Sequence, residues 1–361
     1  IPYIIAFSIG LYYIFKTNKK FENITKILNA VAITLILISV INITTYAIEN
    51  DGLGVITLKN DVIVEKIGSN INSQDKEMMT YVGNLDHYPD VYFLILDGYG
   101  GASSLKKDLD YDNSKFIQVL EEKDFFVASN SFSNYPQSFL SIPSTMNMKY
   151  LNYLKDVVGE ESKDQLTGMK MMNNFLVMEI FKEKGYKTVN FLTTDFEVNA
   201  DISLCKNNHE VNELTETLGN INIFNYFLNW ILTEYIREQQ ECYFSELSEI
   251  HKKFQEPVFV FAHIFVPHPP NVFGPNGEHV IPRIYYNEWG TQEDKDRYLD
   301  TLQYANLRIE EFVEKVLNET DHQPIIIIES DHGTDFSIDW NEPTNEMLKQ
   351  RFSNFNAYYM P

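Results

Sequence analysis

Ile325-Ile326-Ile327-Ile328-Glu329-Ser330-Asp331-His332-Gly333 is the stretch on which the reading of this chain turns. Four consecutive isoleucines without polar alternation predict a strand buried on both faces, the usual state of a central parallel strand. The strand runs into a carboxylate, an imidazole and a glycine. Ligands of open α/β sheets gather at the carboxyl ends of the strands. Adjacent Asp and His side chains at that place suit a divalent cation such as zinc or manganese. A lone Asp-His-Gly reads first as a polar turn, so the rest of the chain has to decide.

Immediately upstream, Tyr298, Leu302, Ala305, Ile309, Phe312 and Val316 recur at helical spacing and predict a long amphipathic helix. Further out, strands are predicted at Val91–Leu96, Phe125–Ala128, Thr188–Leu192 and Val258–Phe265, with another at the very end of the sequence. Helices are predicted at Ser114–Glu122, at Met169–Lys184 with a stop at Gly185, and in aromatic-rich stretches over 221–254. Within the last, Ile221–Leu232 is apolar but too short to span a bilayer, which suits packing on the core or resting on a membrane surface. Strands alternating with helices predict an α/β fold, a mostly parallel central sheet with helices on both faces.

The 361 residues carry 51 acidic and 29 basic side chains, a formal charge of -22, which argues against nucleic acid as a partner. Cys205 and Cys242 have the chance to pair if the domain faces an oxidising compartment; the sequence leaves that open. Near the start, Ile1–Phe15 carries no charge and reads as the end of one transmembrane helix. Ile27–Ile48, an uncharged run of 22 residues, is long enough for a second. Lys16, Lys19, Lys20 and Lys26 against Glu22 make the intervening loop cytoplasmic by the positive-inside rule, so everything after Glu49 is expected outside the cell membrane. The expected organisation is a multi-pass anchor over 1–48, a polar linker over 49–88, and a domain over 89–361. The sequence, starting at Ile1 and stopping at Pro361, reads as a fragment cut at both ends.

Three predicted strands end in chemistry-bearing side chains. Asp97 follows the first, His263 lies within the second with His268 just beyond it in Val266-Pro-His-Pro-Pro270, and Asp331 and His332 follow the third. Together they put carboxylates and imidazoles on one edge of one sheet, which is how a metal site is assembled from distant sequence. His263, in mid-strand, reads equally as a core histidine. A nucleophile is offered by Ser138-Phe-Leu-Ser141-Ile-Pro-Ser144-Thr-Met-Asn147, where a loop enters a helix whose N-terminus favours an anionic substrate. Ser144 and Thr145 read as capping residues, whereas Ser138 and Ser141 are candidates for chemistry.

Asp97 after a buried strand, the Ser138–Asn147 segment, Pro-His-Pro-Pro at 267–270 and Glu-Ser-Asp-His-Gly at 329–333 resemble the alkaline phosphatase/sulfatase superfamily. Within it, the resemblance is nearest to membrane-anchored sulfatase-like enzymes, the group of lipoteichoic acid synthases and phosphoethanolamine transferases. It covers roughly residues 89–361 and implies a catalytic domain truncated at its C-terminus.

The resemblance implies that Asp97, Asp331 and His332 hold a divalent metal ion (zinc, manganese, calcium or magnesium), with the nucleophile beside it. Ser138 stands where the membrane phosphotransferases have a threonine three residues before a Ser-x-Pro, here Ser141-Ile142-Pro143. Ser141-Ile-Pro-Ser144 also fits the first four positions of the sulfatase motif, whose arginine is replaced by Thr145. Ser138 is therefore the favoured nucleophile and metal neighbour, Ser141 the alternative, and His268 the residue that steadies the leaving oxygen or the equatorial charge. Asp195, His209 and Asp335 are loose candidates for a second ion. The implied activity is transfer or hydrolysis of an anionic phosphate ester of an envelope lipid or glycan through a covalent serine intermediate. The alternatives are a sulfatase on sulfated glycans, or a non-catalytic ectodomain that binds lipid or a partner protein.

Overall fold

The computed structural model describes residues 88–361 other than 161, 163–164, 192–197, 206–224, 282–289 and 337, and of residues 225–232 it describes the backbone alone. Both predicted membrane spans and the linker up to residue 87 lie outside the described residues. Among the described residues no helix is long and apolar enough to cross a membrane.

In chain order the elements are β1 (Val91–Leu96), α1 (Ala102–Leu109), α2 (Ser114–Glu121), β2 (Phe126–Val127), α3 (Ser138–Met146), α4 (Leu154–Val158), α5 (Leu166–Met171), α6 (Leu176–Glu183), β3 (Lys187–Phe191), β4 (Ile202–Leu204), α7 (Asn225–Leu247), β5 (Val258–Ile264), α8 (Gln292–Glu319), β6 (Ile325–Glu329), α9 (Asn345–Phe352) and β7 (Asn356–Tyr359). A short 3-10 turn, Ile250–Lys252, follows α7.

Seven strands form one sheet in the order β2-β7-β6-β1-β5-β3-β4. β6, β1, β5, β3 and β4 run parallel to one another. β7 pairs antiparallel with both β6 and β2, so the sheet is mixed. The sheet expected to be mostly parallel is thus parallel from β6 to β4 and antiparallel at the β7 edge. β6 has β1 parallel on one side and β7 antiparallel on the other, because the chain returns through the short helix α9 straight onto its edge.

The isoleucines also divide by parity, as period 2 requires. Ile326 and Ile328 are fully buried with Tyr92, Leu94, Val260 and Ala262, under the stripe Tyr298, Leu302, Ala305, Ile309, Phe312 and Val316 of α8. Ile325 and Ile327 are only partly buried, on the opposite face with Phe93, Ile95, Phe259 and Phe261, under Ile142 and Met146 of α3 and Met178 of α6. Both faces therefore carry helices. α8 starts at a capping box in which Thr291 and Asp294 satisfy each other's backbone N–H.

The single helix expected over Met169–Lys184 is two. An Asn173-Asn174 turn interrupts it; Asn173 gives its carbonyl to Asn199 N–H (2.8 Å), and Leu176 N–H restarts the helix by donating to Asn147 Oδ1 (3.0 Å). The strand expected at Phe125–Ala128 shrinks to the two edge residues of β2. Cys205 and Cys242 are disulfide-bonded, joining the chain just after β4 to α7.

Candidate active site

β1 delivers Asp97 at its carboxyl end, where Asp97 N–H bonds Ile264 O of β5 (2.9 Å). Gly98 turns the chain with φ +69, a conformation that favours glycine, and a Cβ there would stand against the rings of His332 and His268. β6 delivers Ser330-Asp331-His332 beside it. Ser330 is a buried splint: its hydroxyl accepts from Tyr99 N–H (2.8 Å) and donates to His332 O (2.6 Å). A short loop and the first turn of α3 bring Ser138 over the two strand ends.

Two carboxylates are held in matching ways. Asp331 Oδ1 accepts from Gly98 N–H (3.1 Å) and His332 N–H (3.0 Å). Asp97 Oδ2 faces His263 Nε2 at 3.1 Å. Among the described residues, the other oxygen of each, Asp97 Oδ1 and Asp331 Oδ2, is buried without a hydrogen-bond partner. Buried carboxylate oxygens left bare are costly in an apolar interior, and a cation between them would answer that cost. His332 Nε2 lies 3.6 Å from the first oxygen and 3.5 Å from the second. Its Nδ1 faces Gly333 O at 3.0 Å. A carbonyl only accepts, so in the neutral ring Nδ1 carries the proton and the Nε2 lone pair faces the two bare oxygens. Ser138 Oγ completes the group, 3.2 Å from the same Nε2.

His263, left open by the sequence, belongs to this cluster: it is buried, and one ligand atom each of Asp97, His263 and Asp331 lie within 4.8 Å of one another. Its Nε2 is engaged with Asp97, whereas that of His332 faces the two bare oxygens. These residue types are a hard-and-borderline set that fits a divalent ion.

The electrostatics follow. Burial alone would raise the Asp97 carboxyl, but His268, His263 and His332 outweigh it and hold the group well below the usual carboxylate range. Burial lowers His332 below the ordinary histidine value despite the opposing pull of Asp331 and Asp97. Burial, with Asp331 adding to it, pushes Glu329 up to about 8.

Of the remaining candidates, His268 is half-buried, its ring centroid 6.5 Å from that of His332, with Nδ1 held at 2.5 Å by Pro269 O. Ser141 lies one turn further into α3 and is buried at 3% exposure. Ser144, read as a helix-start cap, instead lies near the C-terminal end of α3, where its hydroxyl donates to Lys149 O (2.8 Å) and accepts from Asn134 (3.1 Å). Asp335 is drawn to Arg351 (3.7 Å), and Asp195 and His209 lie outside the described residues. Arg351, which joins the Ser138 loop to the His332 loop, had no signal in the sequence.

The mixed α/β sheet gathers carboxylates and imidazoles at the carboxyl ends of β1, β5 and β6. The chain belongs to the sulfatase family of enzymes, which it matches over residues 90–350. No curated protein matches the sequence. Solved structures similar to it include the zinc complex of the C-terminal periplasmic domain of EcEptC from Escherichia coli, at 12% identity over 77% of this chain and 74% of that one, TM-score 0.48. The integral membrane protein lipooligosaccharide phosphoethanolamine transferase A of Neisseria meningitidis is 11% identical over 95% of this chain and 64% of its own, TM-score 0.47. The phosphonate monoester hydrolase of Agrobacterium radiobacter is 10% identical over 75% of this chain and 68% of its own, TM-score 0.44.

Proposed function

We propose that this chain is a membrane-anchored, metal-dependent phosphoryl-group transferase or hydrolase that acts on phosphate esters of envelope lipids or glycans through a covalent intermediate on Ser138. The observation that carries the reading is the approach of the Ser138 hydroxyl to the Nε2 face of His332, beside the two bare carboxylate oxygens of Asp97 and Asp331. Asp97, Asp331 and His332 would hold the divalent ion. When bound, it supplies Lewis acidity that makes a neighbouring hydroxyl a stronger nucleophile.

The chain's own residues do the rest. The Ser138 Oγ proton passes to solvent as Oγ bonds to phosphorus; the P–O bond to the ester group breaks, and its oxygen leaves with the bonding pair and takes a proton from water. His268 steadies that oxygen or the equatorial charge. Asp97 is oriented by His263, and His332 by Gly333 O. Water or an acceptor hydroxyl then displaces the serine oxygen. The predicted spans at 1–15 and 27–48 would anchor the domain to the cell membrane with its site outside, and the Cys205–Cys242 disulfide suits that oxidising side.

A sulfatase on sulfated glycans is the second reading, favoured by Ser141-Ile-Pro-Ser144 and opposed by Thr145. Purified full-length chain in detergent, assayed on bis-p-nitrophenyl phosphate and p-nitrophenyl sulfate, separates them. Turnover of the phosphate diester that disappears in Ser138→Ala is the expected result. Turnover of the sulfate alone, or loss only in Ser141→Ala, overturns it. Failure to bind any divalent ion would leave the non-catalytic ectodomain.

A further inference from the structure

Arg351 sits near the end of α9, only 5% exposed, with two of its guanidinium nitrogens donating to the backbone of two distant loops. Nε donates to Pro136 O at 2.7 Å, two residues before Ser138. Nη1 donates to Gly333 O at 3.1 Å, the residue after His332. That second carbonyl also holds His332 Nδ1, so one oxygen joins the arginine to the imidazole that faces Ser138. Gly333 N–H donates back to Arg351 O (2.7 Å), and a Cβ on Gly333 would sit 2.3 Å from Gln350 O and Ser353 O, so the two backbones lie in direct contact. Asp335 Oδ2, 3.7 Å from Nη1, offsets the charge, and the Trp340 ring lies 6.0 Å from Cζ.

A buried guanidinium costs desolvation energy that an apolar side chain would not. Cohesion alone does not call for it here. What a guanidinium offers is a rigid planar fork that donates in two directions at a fixed separation, which a lysine ammonium on its flexible stem does not reproduce.

We propose that Arg351 is a positioning residue: by bridging Pro136 O and Gly333 O it sets the distance between the Ser138 hydroxyl and the Asp331–His332 pair. This inference rests on Ser138 as the nucleophile and Asp331 and His332 as ligands. Nothing about it requires Arg351 to touch substrate, since Nε and Nη1 are committed to carbonyls.

The test uses full-length chain carrying Arg351→Lys, which keeps the charge and loses the fork. Backbone hydrogen exchange is followed by mass spectrometry in metal-free protein, and steady-state kinetics in the loaded enzyme. Exchange is expected to rise in both the 133–141 and the 330–335 segments while β1 and β5 stay protected. With phosphate diester, kcat is expected to fall by about 10- to 100-fold, the scale of a misplacement near 1 Å, with KM within about threefold. Faster exchange confined to α9, or spread over the whole sheet, overturns the proposal in favour of plain structural support. A raised KM at unchanged kcat overturns it in favour of a substrate contact. If Ser138→Ala stays active, the nucleophile reading fails, while the exchange pattern still reports whether Arg351 couples the two loops.

Discussion

The face of the sheet under α8 and the face under α3 and α6 differ in depth, and the difference separates what stabilises the fold from what positions the site. Under α8, strand residues Tyr92, Leu94, Val260, Ala262, Ile326 and Ile328 are wholly buried against an equally buried helix stripe. Under α3 the cover is thinner: Phe93 keeps 9% exposure, and Ile325 and Ile327 are only partly buried. The helix that brings Ser138 belongs to this shallower side. It is tied in by directional polar links as well as by apolar area: Asn147 to Leu176, Arg351 to Pro136, and Ser138 to His332. Apolar burial is non-directional and scales with area, so it supplies stability without choosing an exact place. Hydrogen bonds add little net energy but specify geometry. A nucleophile that has to meet a ligand set needs the second kind of contact.

The largest effect expected sharpens the polar side of this comparison. Ser138→Ala should cut turnover by at least about 1000-fold and leave the thermal midpoint within about 2 °C, whereas Ser141→Ala should retain most activity. A Ser138→Ala enzyme that unfolds as it loses activity would show the hydroxyl to be structural.

Next in size is a test within one strand. Ile328→Ala, on the deep face, should cost about 2–5 kcal/mol in urea unfolding. Its neighbour Ile327→Ala, on the shallow face, should cost about 1–2 kcal/mol. Equal losses would erase the distinction between the faces.

Stripping divalent ions with a chelator should come third. A site filled at 100 times its dissociation constant contributes about 2.7 kcal/mol, so the midpoint should drop on chelation and recover on adding zinc or manganese. Asp97→Asn should abolish that recovery; a variant that recovers fully would remove Asp97 from the ligand set.

The smallest effect lies in the links of α3. Asn147→Ala removes the acceptor of Leu176 N–H and should cost about 1 kcal/mol, as for a lost helix cap, measured by urea unfolding. A cost near zero would mean that water replaces the bond and that the shallow face is held by area alone.

The elements read correctly from sequence are those whose pattern repeats within one segment. Val91–Leu96 is an unbroken apolar run, Val258–Phe265 is apolar except for His263, and α8 shows its stripe at helical spacing over most of its length. Asp97, Asp331 and His332 stand out because each follows such a strand, and Ser138 because a serine-bearing loop enters a helix there; the structure brings the four together. α9 was not legible. It is eight residues long, largely polar, and owes its place to Gln350 and Arg351, buried against Thr334 and Gly333. His263 looked equally like a core residue because its neighbour Asp97 is 166 positions away.

By itself the sequence determined which strands are apolar enough to form the middle of a sheet, and which side chains stand at their ends, because both follow from local periodicity. Only the tertiary structure decided that β7 returns antiparallel onto the isoleucine strand and that the cysteines meet. It also decided which oxygen of each carboxylate is left bare and which way the His332 ring presents its lone pair. Those outcomes depend on hydrogen bonds between residues far apart in the chain, and no local pattern encodes them until packing brings the partners together.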